Sequence, residues 1–493
     1  MLEKRPESFW AVKEMMIAPG IGLVCREHNK IEGYYMTEII KTNCGELRGT
    51  TCQWEGVRAY KGIRYATAGR WEYPAVVTHW DGVYDATQYG NCSFQPRAFY
   101  NEEEVVEKVF YYNEFRKGET YTYSEDCLFL NIWTPETATE DSNLPVIFYI
   151  HGGGFTGGCG HEKHFDGPVW PTKGCVAVTI NYRLGPMGFV CLPELEEEAG
   201  HTGNYGLYDQ LAALTWVRDN IRAFGGNPDN ITIMGQSAGA MSVLNLCISP
   251  LTDGMFNKAV MNSGGGVSKL MNSNATTKDR FAFWQMVKQE VGCSTLEELR
   301  ALEPEKLFAT WQKLKKTNMK YGMVASPCID GKILTRSGLD AANSGSQKNI
   351  PYLMGSTSED MAPPIIADMA KNWCIRQDEQ KKQPSYCWFF NRKLPGDNNG
   401  AWHSSDLWYF FGTLKNGWRP FTDHDYKLSD FITTALCDFA KTGNPNEAGS
   451  EEWKATTAAN KQVMVFGEAL PKMGKLNKFK LWVTMFTNKA VGE

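Results

Sequence analysis

The 493-residue chain contains no run near the roughly 18 uninterrupted apolar residues that a membrane-spanning helix needs. It also lacks an excess of base: 51 Lys and Arg face 56 Asp and Glu, a net charge of −5, so the basic footprint of a nucleic-acid binder is missing. The opening stretch, MLEKRPESFWAVKEMMIAPG, mixes charged and apolar residues with no apolar core ahead of a small-residue cleavage site, which argues against a secretory signal. No C-x-x-C pair of the zinc or redox type occurs among the 14 cysteines. Scattered through a chain this large, they read as reduced, partly buried thiols of a cytoplasmic protein. The Asn-x-Ser/Thr triplets at Asn91, Asn230 and Asn274 are then accidental. Repeats, low-complexity runs and linkers are absent too, and one unit spanning residues 1–493 with insertions is the economical expectation. The acidic NEEEVVEK (101–108) and basic KKQPS (381–385) stretches are weakly patterned and are expected to be solvated surface.

What is present is apolar and rhythmic. With 42% hydrophobic and 13% aromatic residues, the chain can build a large core. Short β-branched or apolar segments recur at 145–150, 176–182, 231–234, 258–264 and 351–355, each bounded by Gly, Pro, Asn or Ser, as buried strands of a mostly parallel sheet would be. Between the second and third lies YGLYDQLAALTWVRDNIRAFGG, whose apolar positions recur every three or four residues before a glycine stop. Strand and helix in alternation predict an α/β sheet with helices on its faces.

Within the third strand segment, ITIMGQSAGAMSV sets Ser237 between two glycines. A G-x-S-x-G match arises by chance in roughly a fifth of chains with this composition, so the motif alone is weak. Its context strengthens it: a strand precedes and a helix-compatible stretch follows, as a turn that lifts a nucleophilic hydroxyl above a sheet edge requires. A second glycine cluster, His151-Gly152-Gly153-Gly154, closes the strand at 145–150. Glycine lets backbone N–H groups approach a substrate closely enough to hold the negative charge that develops on a carbonyl oxygen.

The base follows by elimination. In this arrangement the order is serine, acid, histidine, and of eight histidines only His403 and His424 follow Ser237. His424 falls in the polar first turn of a predicted helix, whereas His403 sits in NNGAWHSSDLWYFFG, a loop-like stretch of the kind that carries functional side chains. The acid must lie between them. PYLMGSTSEDM offers Glu359 and Asp360 just beyond a strand end, and Asp330 in CIDGKIL reads as a turn residue.

Taken together, YKGIRYATA, YSEDCLFLNIWTP, HGGGF, NYRLGPMGF, GNYGLYDQLAALTWVRDNIRAFGGNPDNITIMGQSAGA, NSGGG, PYLMGSTSED, HSSDLWYFFG and FAKTGNPN resemble, in order and over most of the chain, the type-B carboxylesterases. This α/β-hydrolase family includes the cholinesterases and bacterial esterases. The resemblance implies the α/β-hydrolase fold, a central mostly parallel sheet flanked by helices, with Ser237 as nucleophile, His403 as general base and Asp360 as triad acid. It implies an oxyanion hole made by the N–H groups of Gly153, Gly154 and Ala238, and it implies no cofactor and no metal.

The reaction so implied is hydrolysis of small uncharged esters through an acyl-enzyme. Rival readings are a cholinesterase-like binding module without catalysis, or cleavage of a related amide, thioester or carbamate bond. Three departures from the family pattern bear on this. Tyr84 falls where cholinesterases are expected to carry a choline-binding tryptophan, and Gln236 replaces their glutamate beside the nucleophile, which disfavours choline esters. The span from Asp360 to His403 is short, so the cover over the site is expected to be trimmed. Cys92 and Cys127 match positions that form a disulfide in secreted members, and free thiols are expected here. The aromatic run LWYFFG (407–412) is expected to be core.

Overall fold

A computed structural model describes residues 30–31, 34–269, 273–447, 449–450 and 452–487. The opening stretch read above for a signal lies outside them. The largest element is an eleven-stranded sheet. In chain order its strands are β1 (Thr50–Thr51), β2 (Val57–Arg64), β3 (Phe129–Pro135), β4 (Leu144–Ile150), β5 (Val176–Ile180) and β6 (Gly226–Gln236). They continue with β7 (Lys258–Asn262), β8 (Tyr352–Thr357), β9 (Ser385–Phe390), β10 (Val463–Phe466) and β11 (Lys472–Gly474). Across the sheet the order is β11-β10-β9-β8-β7-β6-β4-β5-β3-β2-β1.

From β5 through β4 to β10 every pairing is parallel, and these strands are almost wholly buried because helices cover both faces. All five strands expected from sequence are among them. The expectation of a mostly parallel sheet misses its two ends, where β5-β3-β2-β1 and β10-β11 pair antiparallel. Antiparallel neighbours need no crossover helix, so these wings leave no strand-helix alternation to read.

The predicted helix between β5 and β6 is α2 (Tyr205–Asn220), continued by a 3₁₀ turn and ended by Gly225 at a φ of 82°. The strand that follows is longer than expected and begins at Gly226. Helix α3 (Ala238–Ile248) leaves β6 directly. Its first turn is small because the sheet is close: a Cβ on Gly239 would stand 2.0 Å from the Ile150 carbonyl oxygen, and one on Gly235 would stand 2.3 Å from the Gly239 carbonyl carbon. Both contacts are impossible, so the glycines seat α3 against the end of β4 and hold the β6–α3 turn there. The aromatic run forms α5 (Leu407–Phe411), buried along its length as expected; α1 (Val106–Phe115) and α4 (Pro363–Glu379) precede it in the chain and α6 (Asp423–Thr442) follows it.

The acidic stretch at 101–108 departs from its expectation. Glu102 is buried and accepts from Arg116 at 2.7 and 2.8 Å, with Arg97 3.5 Å away, whereas Glu103, Glu104 and Glu107 stay in solvent. A charge run without apolar periodicity gives no hint that one member has a buried guanidinium partner supplied from elsewhere in the fold. Every described cysteine carries a free thiol, Cys92 and Cys127 included. Among the described residues no helix is long and apolar enough to cross a membrane.

Candidate active site

Ser237 forms the turn between β6 and α3 with a φ of 55° and ψ of −124°. For a residue with a side chain this backbone is strained by about 1–3 kcal/mol, and it persists only where the surroundings impose it. They do so here: the Ser237 N–H donates to the Asn262 carbonyl at 2.8 Å, and a Cβ on neighbouring Gly264 would stand 2.3 Å from the Ser237 carbonyl oxygen. Glycine is required on both sides for the hydroxyl to stand clear of the strand.

The glycine cluster after β4 lies against this turn, with the position of a Cβ on Gly152 only 3.1 Å from Ser237 Cβ. Gly153 takes a φ of 107°, and a side chain there would collide with the Gly157 carbonyl oxygen at 2.0 Å. That carbonyl turns inward because the Gly153 oxygen itself accepts from the N–H groups of Thr156 and Gly157, each at 3.0 Å. The N–H groups of Gly153, Gly154 and Ala238 donate to no acceptor among the described residues. Ala238 is left free because it is the first residue of a helix, whose opening N–H groups have no partner within it.

Facing the turn are Asp360 and His403, joined by a hydrogen bond of 2.5 Å between Oδ1 and Nδ1. Asp360 also accepts from the Met361 and Thr357 N–H groups at 2.9 and 3.3 Å. Burial raises its pKa, but the adjacent imidazolium charge and hydrogen bond outweigh burial and leave the carboxyl below its ordinary value. On His403 burial pulls the other way, and the Asp360 charge and hydrogen bond prevail to hold the imidazole above its usual 6.5. Glu359, left open by the residues alone, turns elsewhere: its carboxylate accepts from the Ala401 N–H at 2.8 Å and from the Ser358 hydroxyl. Paired backbone at Glu359 and Trp402 then fixes the strand end against the histidine loop.

The loop is held from its other side by α1, where the Tyr111 hydroxyl donates to the His403 carbonyl at 3.3 Å and the Phe110 and Tyr111 rings meet Trp402 edge-on. His424 is spent elsewhere, on the Gly467 carbonyl at 2.8 Å. Asp330 closes a turn by accepting from the Lys332 and Leu334 N–H groups, as its sequence context suggested.

Two side chains enter the site in ways the sequence did not reveal. Gln236 extends its amide to within 3.1 Å of His403 Nε2, the imidazole nitrogen not engaged by Asp360. Asp406 is fully buried, accepts from Asn262 Nδ2 at 2.9 Å, and is pushed up to about 6 by burial, with the charge of Asp360 adding to the rise. Asp406 lies three positions after His403, and that proximity to a catalytic candidate was the one available signal.

Tyr84, read as the counterpart of a choline-binding tryptophan, proves to be a framework residue. Its hydroxyl donates to the Gly62 carbonyl at 2.8 Å and accepts from the Arg64 N–H at 3.2 Å, and its ring packs on Trp80.

A parallel α/β sheet whose strand-to-helix turn bears a strained serine, beside free backbone donors and a carboxylate-imidazole pair, defines an α/β-hydrolase. Residues 36–390 and 364–482 match the profile of the Carboxylesterase family. The para-nitrobenzyl esterase of Bacillus subtilis is 31% identical, over 87% of this chain and 94% of that protein. Among solved structures, a PNB esterase superposes with a TM-score of 0.76 at 27% identity, covering 92% of this chain and 100% of its own. An esterase from anaerobic Clostridium hathewayi, described as hydrolysing aliphatic aromatic polyesters, also reaches 0.76 at 26% identity, over 92% and 98% of the two chains. The chain belongs to the carboxylesterase family, in its bacterial-type branch, and is a carboxylic ester hydrolase of the serine class.

Proposed function

We propose that the whole chain works as one hydrolase unit that cleaves small uncharged esters in the cytoplasm, through an acyl-enzyme on Ser237. The observation that carries this reading is the Asp360–His403 pair, whose Nε2 lies 3.1 Å from the amide of Gln236, the residue next to Ser237. With Nδ1–H donated to Asp360, the Nε2 lone pair is the available base. It takes the proton of the Ser237 hydroxyl as the oxygen attacks the ester carbonyl, and the N–H groups of Gly153, Gly154 and Ala238 receive the resulting oxyanion. The imidazolium then protonates the departing alcohol, the acyl group stays on Ser237, and water repeats the sequence to release the acid.

Gln236 has a part in this scheme. Its amide holds Nε2 in the free enzyme, and it must yield that nitrogen to the neighbouring Ser237 when substrate arrives. As a neutral side chain it adds no negative charge beside the nucleophile, which favours uncharged alcohol groups over cationic ones. Hydrolysis of a short-chain p-nitrophenyl ester tests the scheme: a burst of p-nitrophenol equal to the enzyme concentration is expected, and its loss in Ser237→Ala. Linear product release at full rate by that variant would sink the proposal.

A further inference from the structure

The loop that bears Gly153 and Gly154 continues inward to Cys159 and His161, and there it meets Cys92. All three residues are buried, and one donor atom from each lies within 4.8 Å of the others, the one such group of three among the described residues. We infer that Cys92, Cys159 and His161 form a binding site for a thiophilic divalent cation, zinc in the first instance, which ties the base of this loop to the segment at 92–95.

Three features of the group support a metal over a chance meeting of thiols. First, the sulfur–nitrogen distance fits. Tetrahedral zinc with bonds of about 2.3 Å to sulfur and 2.0–2.1 Å to nitrogen sets its S and N donors about 3.6 Å apart, and Cys92 Sγ stands 3.6 Å from His161 Nε2.

Second, the nitrogens of His161 have no partner but the thiols among the described residues. Nδ1 is buried without a hydrogen-bond partner, and Nε2 faces the thiols. A buried imidazole normally spends at least one nitrogen on a carbonyl or carboxylate. The ring is clamped between Tyr89, stacked at 4.5 Å, and Tyr121, whose hydroxyl is likewise buried and without a partner. A water would take the fourth position.

Third, the charges close. Binding releases a proton from each thiol, and two thiolates neutralise a divalent cation, so no net charge is left in the core. The neighbouring charges already balance among themselves, Glu162 with Arg97 at 2.7 Å and Glu102 with Arg116 at 2.7 Å. No neighbouring ion pair must break to admit the metal.

The site lies where it can stiffen the oxyanion loop. Gly158, next to Cys159, donates to Gln95 Oε1 at 3.0 Å and accepts from Gln95 Nε2 at 3.1 Å, and Gln95 is three residues from Cys92. A cation bridging Cys92 and Cys159 would add a second tie to the same pair of segments.

The test uses the full chain, purified reduced and stripped of metal with a chelator. Titration with zinc is expected to saturate at one equivalent, and cobalt(II) to give a near-ultraviolet thiolate charge-transfer band that zinc abolishes. Cys159→Ser and His161→Asn should each weaken zinc binding by about 100-fold or more. Cys191→Ser should leave it unchanged, since Cys191 Sγ meets the Cys328 thiol at 3.8 Å and the Phe189 carbonyl at 3.9 Å, in a separate buried thiol pair. Should a variant fail to fold, the cobalt spectrum of the unmodified chain decides alone. No saturable band, a cobalt spectrum lacking thiolate character, or a Cys92–Cys159 disulfide that persists in reductant would overturn the proposal.

Discussion

The two ends of one loop, 152–154 and 158–161, solve opposite problems. At the first, Gly153 and Gly154 are exposed and contribute only backbone, with N–H groups that no acceptor among the described residues claims. At the second, Cys159 and His161 are buried and contribute only side chains. The Gly153 carbonyl and the Gln95 amide hold the two ends in register. The contrast teaches where function can be exposed cheaply: backbone donors can be left unpaired at a surface that water fills until a substrate comes, whereas an unpaired side chain in the core must find a partner.

Substitutions at the triad and along this loop separate the two roles. Ser237→Ala should lower kcat by about 10⁴-fold or more, since the residual rate then rests on the oxyanion donors and binding alone; steady-state turnover of a p-nitrophenyl ester measures it. Asp360→Asn keeps the shape but loses the charge that orients His403, and a fall of about 10⁴-fold in kcat is expected, as for other triads. At the exposed end of the loop, Gly153→Ala should cost about 10²–10³-fold in kcat through a misplaced donor. It should also lower the melting temperature, because the added methyl meets the Gly157 carbonyl.

Smaller effects concern protons and framework. His403 must be neutral to act as base, and the Asp360 charge and hydrogen bond raise its pKa above 6.5 against the pull of burial. The acid limb of kcat/KM should therefore fall above pH 6.5, with activity rising as pH passes through the folded-state value. The same raised pKa makes the protonated pair stabilising at low pH, a contribution lost as pH climbs through that value. Gln236→Glu, which sets a carboxylate near Nε2, should move the limb higher still. Smallest is Tyr84→Phe, which removes the hydroxyl's hydrogen bonds to the Gly62 carbonyl and from the Arg64 N–H. It should cost about 1 kcal/mol of stability and leave kcat/KM for uncharged esters unaltered, as differential scanning calorimetry and kinetics would show.

How far the sequence revealed all this depends on whether a requirement was local. The parallel strands were legible because burial on both faces fills them with apolar residues and glycine or proline marks their ends. In the antiparallel wings, Thr50–Thr51 is too short to carry such a run, and no crossover helix marks Val57–Arg64 and Phe129–Pro135 as neighbours. At the site, Ser237 and the Gly153 cluster were legible because close backbone approach admits only glycine. The adjacent Glu359 and Asp360 could not be told apart from the residues alone, since which carboxylate faces His403 depends on how the loop at 400–403 docks. Gln236 meets His403 across 167 positions and Cys92 meets His161 across 69, contacts made only by the folded chain. Only the Cys-Gly-His spacing at 159–161 hinted at the buried cluster, and a search for C-x-x-C passes over it.

If Ser237 is a nucleophile whose reactivity depends on its setting, it can be captured covalently. A fluorophosphonate incubated with the folded enzyme, followed by intact mass and peptide mapping, should add one phosphonyl group per chain, on Ser237. Labelling should stop when the enzyme is unfolded in denaturant and should slow sharply in His403→Ala. An unlabelled folded enzyme, or a label on any other residue with Ser237 untouched, would contradict the account.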